Sequence, residues 1–161
     1  MLLKLCRVGA LLVVVAAFGC EQPVKWTYKQ EIDPDPGKIG KKLTVYCTVT
    51  GDLEKVGWIS AVPLVAPEFA WELKDNGKEA DKKAGDGVYS ATGIVPAEAE
   101  PGLYEIECTS FDKNGDPLRV PSFTVLDKHG KVTQEVVPQT GEDGKKETSV
   151  EATSIIVLTV E

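Results

Sequence analysis

Apolar and polar residues alternate with a period of two in several short segments of the chain. The clearest segment covers residues 43–50, where every second residue is aliphatic or cysteine and the residues between are threonine or tyrosine. This alternation is typical of a β-strand with one face in a core and the other toward solvent. We therefore expect Leu43, Val45, Cys47 and Val49 to be buried together.

Similar segments recur along the chain, separated by residues that favour turns. Asp, Asn and Gly are concentrated at three predicted turns, over residues 75–77, 85–87 and 114–115. Short strands with turn signals about every 8–12 residues predict an all-β fold, either a sandwich or a barrel. The other predicted strands cover residues 24–32, 56–62, 69–73, 88–95, 104–108 and 123–126.

The C-terminal part of the chain adds a hairpin, a loop and a strand to this prediction. Residues 131–137 are expected to pair with the preceding strand around a turn at Lys128, His129 and Gly130. Residues 139–154 are polar and contain glycines, which is typical of a loop. The final run, residues 155–160, is strongly apolar and predicts a terminal strand that docks on the domain.

The first twenty residues have the features of an export signal. Lys4 and Arg7 precede a short uncharged apolar run, and small residues follow it. A helix that spans a bilayer needs about 20 apolar residues, so a transmembrane anchor is the weaker alternative.

The end of this signal resembles the lipobox of bacterial lipoproteins. Residues 17–20 read AFGC, with a small residue directly before Cys20. The resemblance implies that residues 1–19 are removed and that Cys20 is acylated, whereas secretion with a free Cys20 is the alternative. Glu21, at the next position, favours the outer membrane over retention at the inner membrane.

The charge of the remaining chain excludes one class of partner. Without residues 1–19 the chain has 16 basic and 25 acidic residues, a formal net charge of −9. A nucleic-acid-binding protein needs a basic footprint, and Arg119 is the only arginine left. An acidic surface also adsorbs poorly to anionic lipid, so the acyl group would be the membrane attachment.

Cys6 would be removed with the signal and Cys20 would be acylated, which leaves Cys47 and Cys108. An oxidising compartment favours a disulfide between these two. With Trp58 they resemble the immunoglobulin pattern, in which a tryptophan packs against a bridge between two sheets. This resemblance covers residues 41–126 and implies an immunoglobulin-like β-sandwich with Trp58 and Tyr104 as core markers. Tyr104 stands four residues before Cys108, whereas the tyrosine of a tyrosine corner stands two before.

A second resemblance concerns the turns. Residues 84–91 read AGDGVYSA and residues 101–104 read PGLY. These motifs are similar to those of an immunoglobulin-like module of secreted bacterial proteins, which usually serves as a spacer, stalk or adhesion element. The expected organisation is a signal peptide (1–19), a tether with a possible first strand (20–40), the β-sandwich (41–127) and a C-terminal β extension (128–161).

Catalytic chemistry has little support in the sequence. His129 is the only histidine, and its position in a turn favours an exposed residue without a catalytic role. With the cysteines already assigned, a zinc site is not expected. A small hydrolase that uses two carboxylates stays open as an alternative, because the chain has 25 acidic residues and no pair stands out.

Residues 62–71 form an apolar connection with two prolines. Leu64, Val65, Phe69 and Trp71 could present a surface for a partner. The favoured interpretation is a loop that crosses the edge of the sandwich and buries Leu64 and Val65 in the core.

Residues 75–86 invite comparison with a calcium site, with Asp75, Asp81 and Asp86 as a weak set of ligands. Their spacing does not follow an EF-hand loop, and nearby lysines balance their charge. We expect two turns with positive φ at Gly77 and Gly87 and carboxylates that bond back to the backbone, without a metal or cofactor.

Together these features predict a non-catalytic envelope lipoprotein, lipid-anchored and exported, whose domain binds or scaffolds a protein or glycan partner. The alternatives are the carboxylate hydrolase and an accessory lipoprotein subunit of an envelope assembly or secretion machine.

Overall fold

The computed structural model describes residues 24–140 and 144–161, and this part of the chain is all-β. The predicted fold class is therefore confirmed at the level of an all-β, sandwich-like fold. The export signal and Cys20 lie outside the described residues. The strands are β1 (Trp26–Asp33), β2 (Lys42–Thr50), β3 (Trp58–Pro63), β4 (Trp71–Leu73), β5 (Val88–Ile94), β6 (Gly102–Phe111), β7 (Arg119–Val120), β8 (Phe123–Leu126), β9 (Val132–Val136), β10 (Val150–Glu151) and β11 (Thr153–Val160).

The strands form two main sheets. The first sheet has the order β5-β2-β1-β8-β9, and the second has the order β11-β6-β3-β4. Neighbours are antiparallel except β1 and β8, which run parallel. The short strands β7 and β10 form a separate pair, and single 3-10 turns lie at Leu53–Lys55 and Pro67–Phe69.

Alternate residues of both sheets point into one common core. The prediction for β2 is confirmed, because Leu43, Val45, Cys47 and Val49 are all at least 97% buried. The opposite sheet contributes the inward residues of β3, β6 and β11 to the same cluster. A buried hydrogen bond from Gln30 Nε2 on β1 to Ser154 Oγ on β11, 2.7 Å long, joins the two sheets directly.

β1 is a core strand, in agreement with the possible first strand predicted before residue 40. It begins at Trp26, and both Trp26 and Tyr28 are buried. The Tyr28 ring meets Phe123 of β8 edge to face at 5.4 Å. Burial raises the pKa of Tyr28 above its usual value, and Ser110 acts in the opposite direction. The phenol hydroxyl has no hydrogen bond of ordinary geometry to any described residue.

The predicted terminal strand is present as β11, and it pairs with β6 from Thr153 to Val160. Leu158 and Val160 are buried in the common core, so β11 packs with the strands of both sheets. The hairpin of β8 and β9 is also present. Its turn is held by Asp127, whose Oδ1 accepts hydrogen bonds from the backbone N–H groups of His129 and Lys131.

The prediction that Trp58 marks the core is wrong. Trp58 is half-buried on the outer face of the second sheet, where it stacks on Phe111 with ring centroids 4.3 Å apart. The buried residues of β3 are Ile59, Ala61 and Pro63. The immunoglobulin resemblance placed Trp58 against the core, but β3 begins at Trp58, and its inward positions start with Ile59.

Candidate functional site

A cleft of about 360 Å³ opens at one end of the two sheets and is called the end cleft here. Its floor is formed by buried core residues of both sheets, and its walls come from two connections, residues 64–70 and 95–100. The lining residues are Leu43, Pro63, Val65, Ala66, Glu68, Phe69, Trp71, Val95, Pro96, Glu98, Ala99, Glu100, Tyr104, Ile106, Leu158 and Val160.

Trp71 at the start of β4 forms one wall of the end cleft. Its indole lies directly over Gly93 of β5, so that a Cβ at Gly93 would collide with Trp71 Nε1. The same edges of the two sheets meet one step further along, where Lys74 and Ser90 exchange two backbone hydrogen bonds of 3.1 Å. Gly93 therefore gives the Trp71 ring the space that it occupies.

Tyr104 of β6 also lines the end cleft and is half-buried against the core. Its hydroxyl donates a hydrogen bond to the Glu100 carbonyl at 2.7 Å and accepts one from the Glu100 N–H at 3.1 Å. These two hydrogen bonds to the backbone of one residue fix the end of the 95–100 connection. The wall is thus held by a side chain rather than by strand pairing.

The expectation that Leu64 and Val65 are buried is wrong. Leu64 is 48% exposed and Val65 is 75% exposed. After β3 ends at Pro63 the chain turns sharply, with Ala66 N–H donating to the Pro63 carbonyl, and this turn carries both side chains away from the core. Val65 lies on the rim of the end cleft, and Phe69 and Trp71 line its interior.

The rim of the end cleft is acidic. Glu68, Glu98 and Glu100 are exposed, and no lysine, arginine or histidine is among the lining residues. None of the three glutamates takes part in a salt bridge within the described residues. The opening therefore combines an apolar interior with uncompensated negative charge.

The 95–100 half of this site was not predicted from the sequence. A signal was present, because residues 96–101 read PAEAEP, an acidic segment bracketed by prolines. Its position opposite residues 64–71 depends on pairing between distant strands, which the local pattern does not contain.

The three aspartates of the calcium comparison do converge, with carboxylate oxygens of Asp75, Asp81 and Asp86 all within 4.8 Å of one another. Their hydrogen bonds agree with the predicted backbone role. Both oxygens of Asp75 accept backbone N–H groups, from Gly85 and Gly87, and both oxygens of Asp81 do so as well. Gly77 and Gly87 have φ values of 69° and 85°, which confirms the predicted turns.

Asp81 is expected to make the stability of the protein depend on pH. The Gly77 N–H, and after it the Lys83 N–H, hold the pKa of Asp81 below its usual value. A carboxylate with a depressed folded-state pKa stabilises the fold above its unfolded pKa of about 3.9, and this contribution is lost as the pH falls through the folded value. We expect Asp81→Asn to lower stability at pH 7 and to flatten the acid limb of unfolding free energy against pH.

Urea titrations from pH 7 to pH 2 measure this effect. Glu135→Gln, on the exposed strand β9, is the control and should keep the slope of the unaltered protein. If Asp81→Asn keeps the same slope of unfolding free energy against pH as the unaltered protein, Asp81 does not contribute to the pH dependence.

Cys47 and Cys108 lie in opposite sheets and are both buried. Burial raises the pKa of the Cys47 thiol well above its usual value, and the nearby Cys108 adds to this shift. Burial, and after it Glu107, raises the pKa of Cys108 to about 12. Both are free thiols in this structure, so the predicted disulfide is not formed here and stays a prediction.

Comparison with known proteins adds no assignment, because no protein-family description matches the chain and no curated protein resembles it significantly. Among residues 24–140 and 144–161, no helix is long and apolar enough to cross a membrane.

Carboxylate hydrolysis fits the end cleft less well than binding does. A general acid of this kind is kept protonated at neutral pH by an apolar, water-poor environment. Glu68, Glu98 and Glu100 are exposed to solvent, whereas the interior is made of aliphatic and aromatic groups. Such a cleft can hold an apolar group but offers few positioned polar atoms.

Proposed function

We propose that this protein is a non-catalytic envelope lipoprotein that binds another envelope or extracellular component through the end cleft. The observation that carries the proposal is an aromatic-walled apolar cleft beside two exposed aliphatic side chains, Leu64 and Val65. Ligand sites are commonly concave and mostly apolar, with volumes of about 300–1,000 Å³. Exposed apolar side chains next to such a cleft are typical of an interaction site.

An immunoglobulin-like topology is part of the proposal. The order β5-β2-β1 in one sheet and β4-β3-β6-β11 in the other places Cys47 on β2 and Cys108 on β6, in opposite sheets. The bond from Tyr104 to the Glu100 backbone resembles a tyrosine corner, although its position in the strand differs. In this proposal β11 is the last strand of the domain, and β7 to β10 form an insertion before it.

An accessory role in an envelope assembly is a second candidate. Leu103, at the start of β6, is 74% exposed and enlarges the apolar surface next to Leu64 and Val65. Leu64 N–H donates to the Glu105 carbonyl, which brings these segments side by side. A surface of this kind suits a permanent subunit contact as well as a transient partner.

The membrane attachment of this proposal depends on Cys20. We expect Cys20→Ser to abolish acylation and to release or stall the protein, because the thiol carries the lipid. Mass spectrometry of the mature N-terminus measures this directly. An unmodified mature chain that begins at any residue other than Cys20 would contradict the assignment.

Site-specific photo-crosslinking in intact cells tests the binding role. A photoreactive amino acid at Val65, on the rim, should give a defined adduct that is lost when Trp71→Ala is added. Val132 on β9 is the matched control, since it is 48% exposed and is not among the residues that line the cleft. Equal labelling at the two positions, or no adduct at Val65, would overturn the proposal.

A further inference from the structure

The charge around the end cleft defines the chemistry of its occupant. Among its lining residues are three exposed glutamates and no basic side chain. An anionic ligand would meet only like charge, and complementary charge favours both encounter and register. We propose that the end cleft binds an extended peptide segment of a partner, and that this segment carries lysine or arginine beside apolar side chains. This inference rests on the proposed binding function.

The interior of the cleft supplies the apolar half of this recognition. Phe69, Trp71 and Tyr104 contribute aromatic surface, and Pro63 and Pro96 contribute rigid aliphatic surface. Aromatic rings also attract a cation that lies over their face within about 6 Å. A lysine or arginine that follows an apolar anchor therefore reaches favourable groups in the wall as well as on the rim.

The size and stiffness of the cleft suit a short segment rather than a folded domain. Its volume of about 360 Å³ lies at the lower end of the range for ligand sites. One wall is bracketed by Pro96 and Pro101 and held by the Tyr104 hydroxyl. A wall formed before binding loses little conformational entropy when the partner docks.

A carbohydrate fits less well, although aromatic rings can stack on sugars. The lining has no asparagine, glutamine, serine, threonine or arginine. The Tyr104 hydroxyl is already bonded to the Glu100 backbone in both directions. Acceptors for sugar hydroxyl groups are present on the three rim glutamates, whereas hydroxyl groups that enter the apolar interior would lack partners, which lowers affinity.

A random dodecapeptide library displayed on phage, selected on the full-length protein, tests this inference. We expect selected peptides to combine lysine or arginine with aliphatic, aromatic or proline residues. A synthetic copy of one such peptide should bind the variant Glu68→Gln/Glu98→Gln/Glu100→Gln about tenfold more weakly, since three exposed charge pairs are removed. Its affinity should also fall as salt is raised, because the rim charges are screened.

The matched control removes the same number of charges elsewhere. Glu54, Glu79 and Glu135 are exposed and lie outside the cleft lining, so Glu54→Gln/Glu79→Gln/Glu135→Gln should change the affinity less than about twofold. Val65→Ser tests the apolar rim without disturbing the core, since Val65 is 75% exposed, and it should also weaken the peptide.

The outcomes separate this inference from the proposed function. Peptides that need Val65 but contain no basic residue, or that bind the rim variant unchanged, would overturn the charge argument and leave the binding function in place. If no peptide is selected and the protein binds a glycan array in a way that depends on Trp71, the occupant is a carbohydrate. That result would overturn the peptide inference and leave the binding function in place. No peptide, no glycan and no adduct at Val65 would overturn both.

Discussion

Replacing Ile59 with alanine is expected to destabilise the protein by about 2–5 kcal/mol, the usual cost of such a truncation in a core. Ile59 is 1% exposed and lies between Leu73 of β4 and Ser110 of β6. The adjacent change, Trp58→Ala, is expected to cost only about 1 kcal/mol, because Trp58 stacks on Phe111 at the outer face and aromatic pairs contribute on that scale.

Urea denaturation of the two variants side by side measures this difference. The comparison is sensitive because tryptophan is much the larger side chain. If both residues were buried, Trp58→Ala would destabilise the protein more than Ile59→Ala. A Trp58→Ala midpoint as low as that of Ile59→Ala would place the tryptophan in the core and would contradict the assigned phase of β3.

The second large effect concerns Cys47 and Cys108. If the exported protein contains the predicted disulfide, the bridge closes a loop of 61 residues and stabilises the fold by about 4 kcal/mol on the chain-entropy model. Cys47→Ala, Cys108→Ala and the double variant should then lose similar stability, because each removes the same bond. Single variants that differ little from the unaltered protein would argue for two independent buried thiols.

Thiol labelling gives the direct readout. Exported protein unfolded without reductant should label at neither cysteine, whereas the same protein treated first with reductant should label at both. Unfolding is needed because the two thiols are buried and burial raises their pKa values, which suppresses the reactive thiolate in the folded state. Quantitative labelling of both residues before reduction would end the disulfide prediction.

Local patterns predicted the strands well where alternation was uninterrupted. In β2, four inward residues in strict alternation were sufficient to identify both the strand and its buried face. In β3 the immunoglobulin resemblance was wrong for Trp58, because the inward positions of the strand are Ile59, Ala61 and Pro63. The type of element was therefore predictable there, whereas its buried face was not.

The end cleft shows a different limit of sequence reasoning. Phe69 and Trp71 were recognised as surface candidates, yet their partners across the cleft come from the 95–100 connection and from Val160. These segments meet only because β4 lies next to β5 and β11 pairs with β6. Side chains brought together by such long-range pairing leave no periodic signal in the sequence.

The location of the binding site is tested most directly by 19F NMR of the protein labelled with fluorotryptophan. The three tryptophans report on separate environments: Trp26 in the core, Trp58 on the outer face and Trp71 in the end cleft. With solubilised envelope fraction added, the Trp71 resonance should shift and become protected from a soluble paramagnetic quencher, while Trp26 and Trp58 keep their shifts. A response at Trp58 with Trp71 unchanged would place the partner elsewhere and contradict the proposed function.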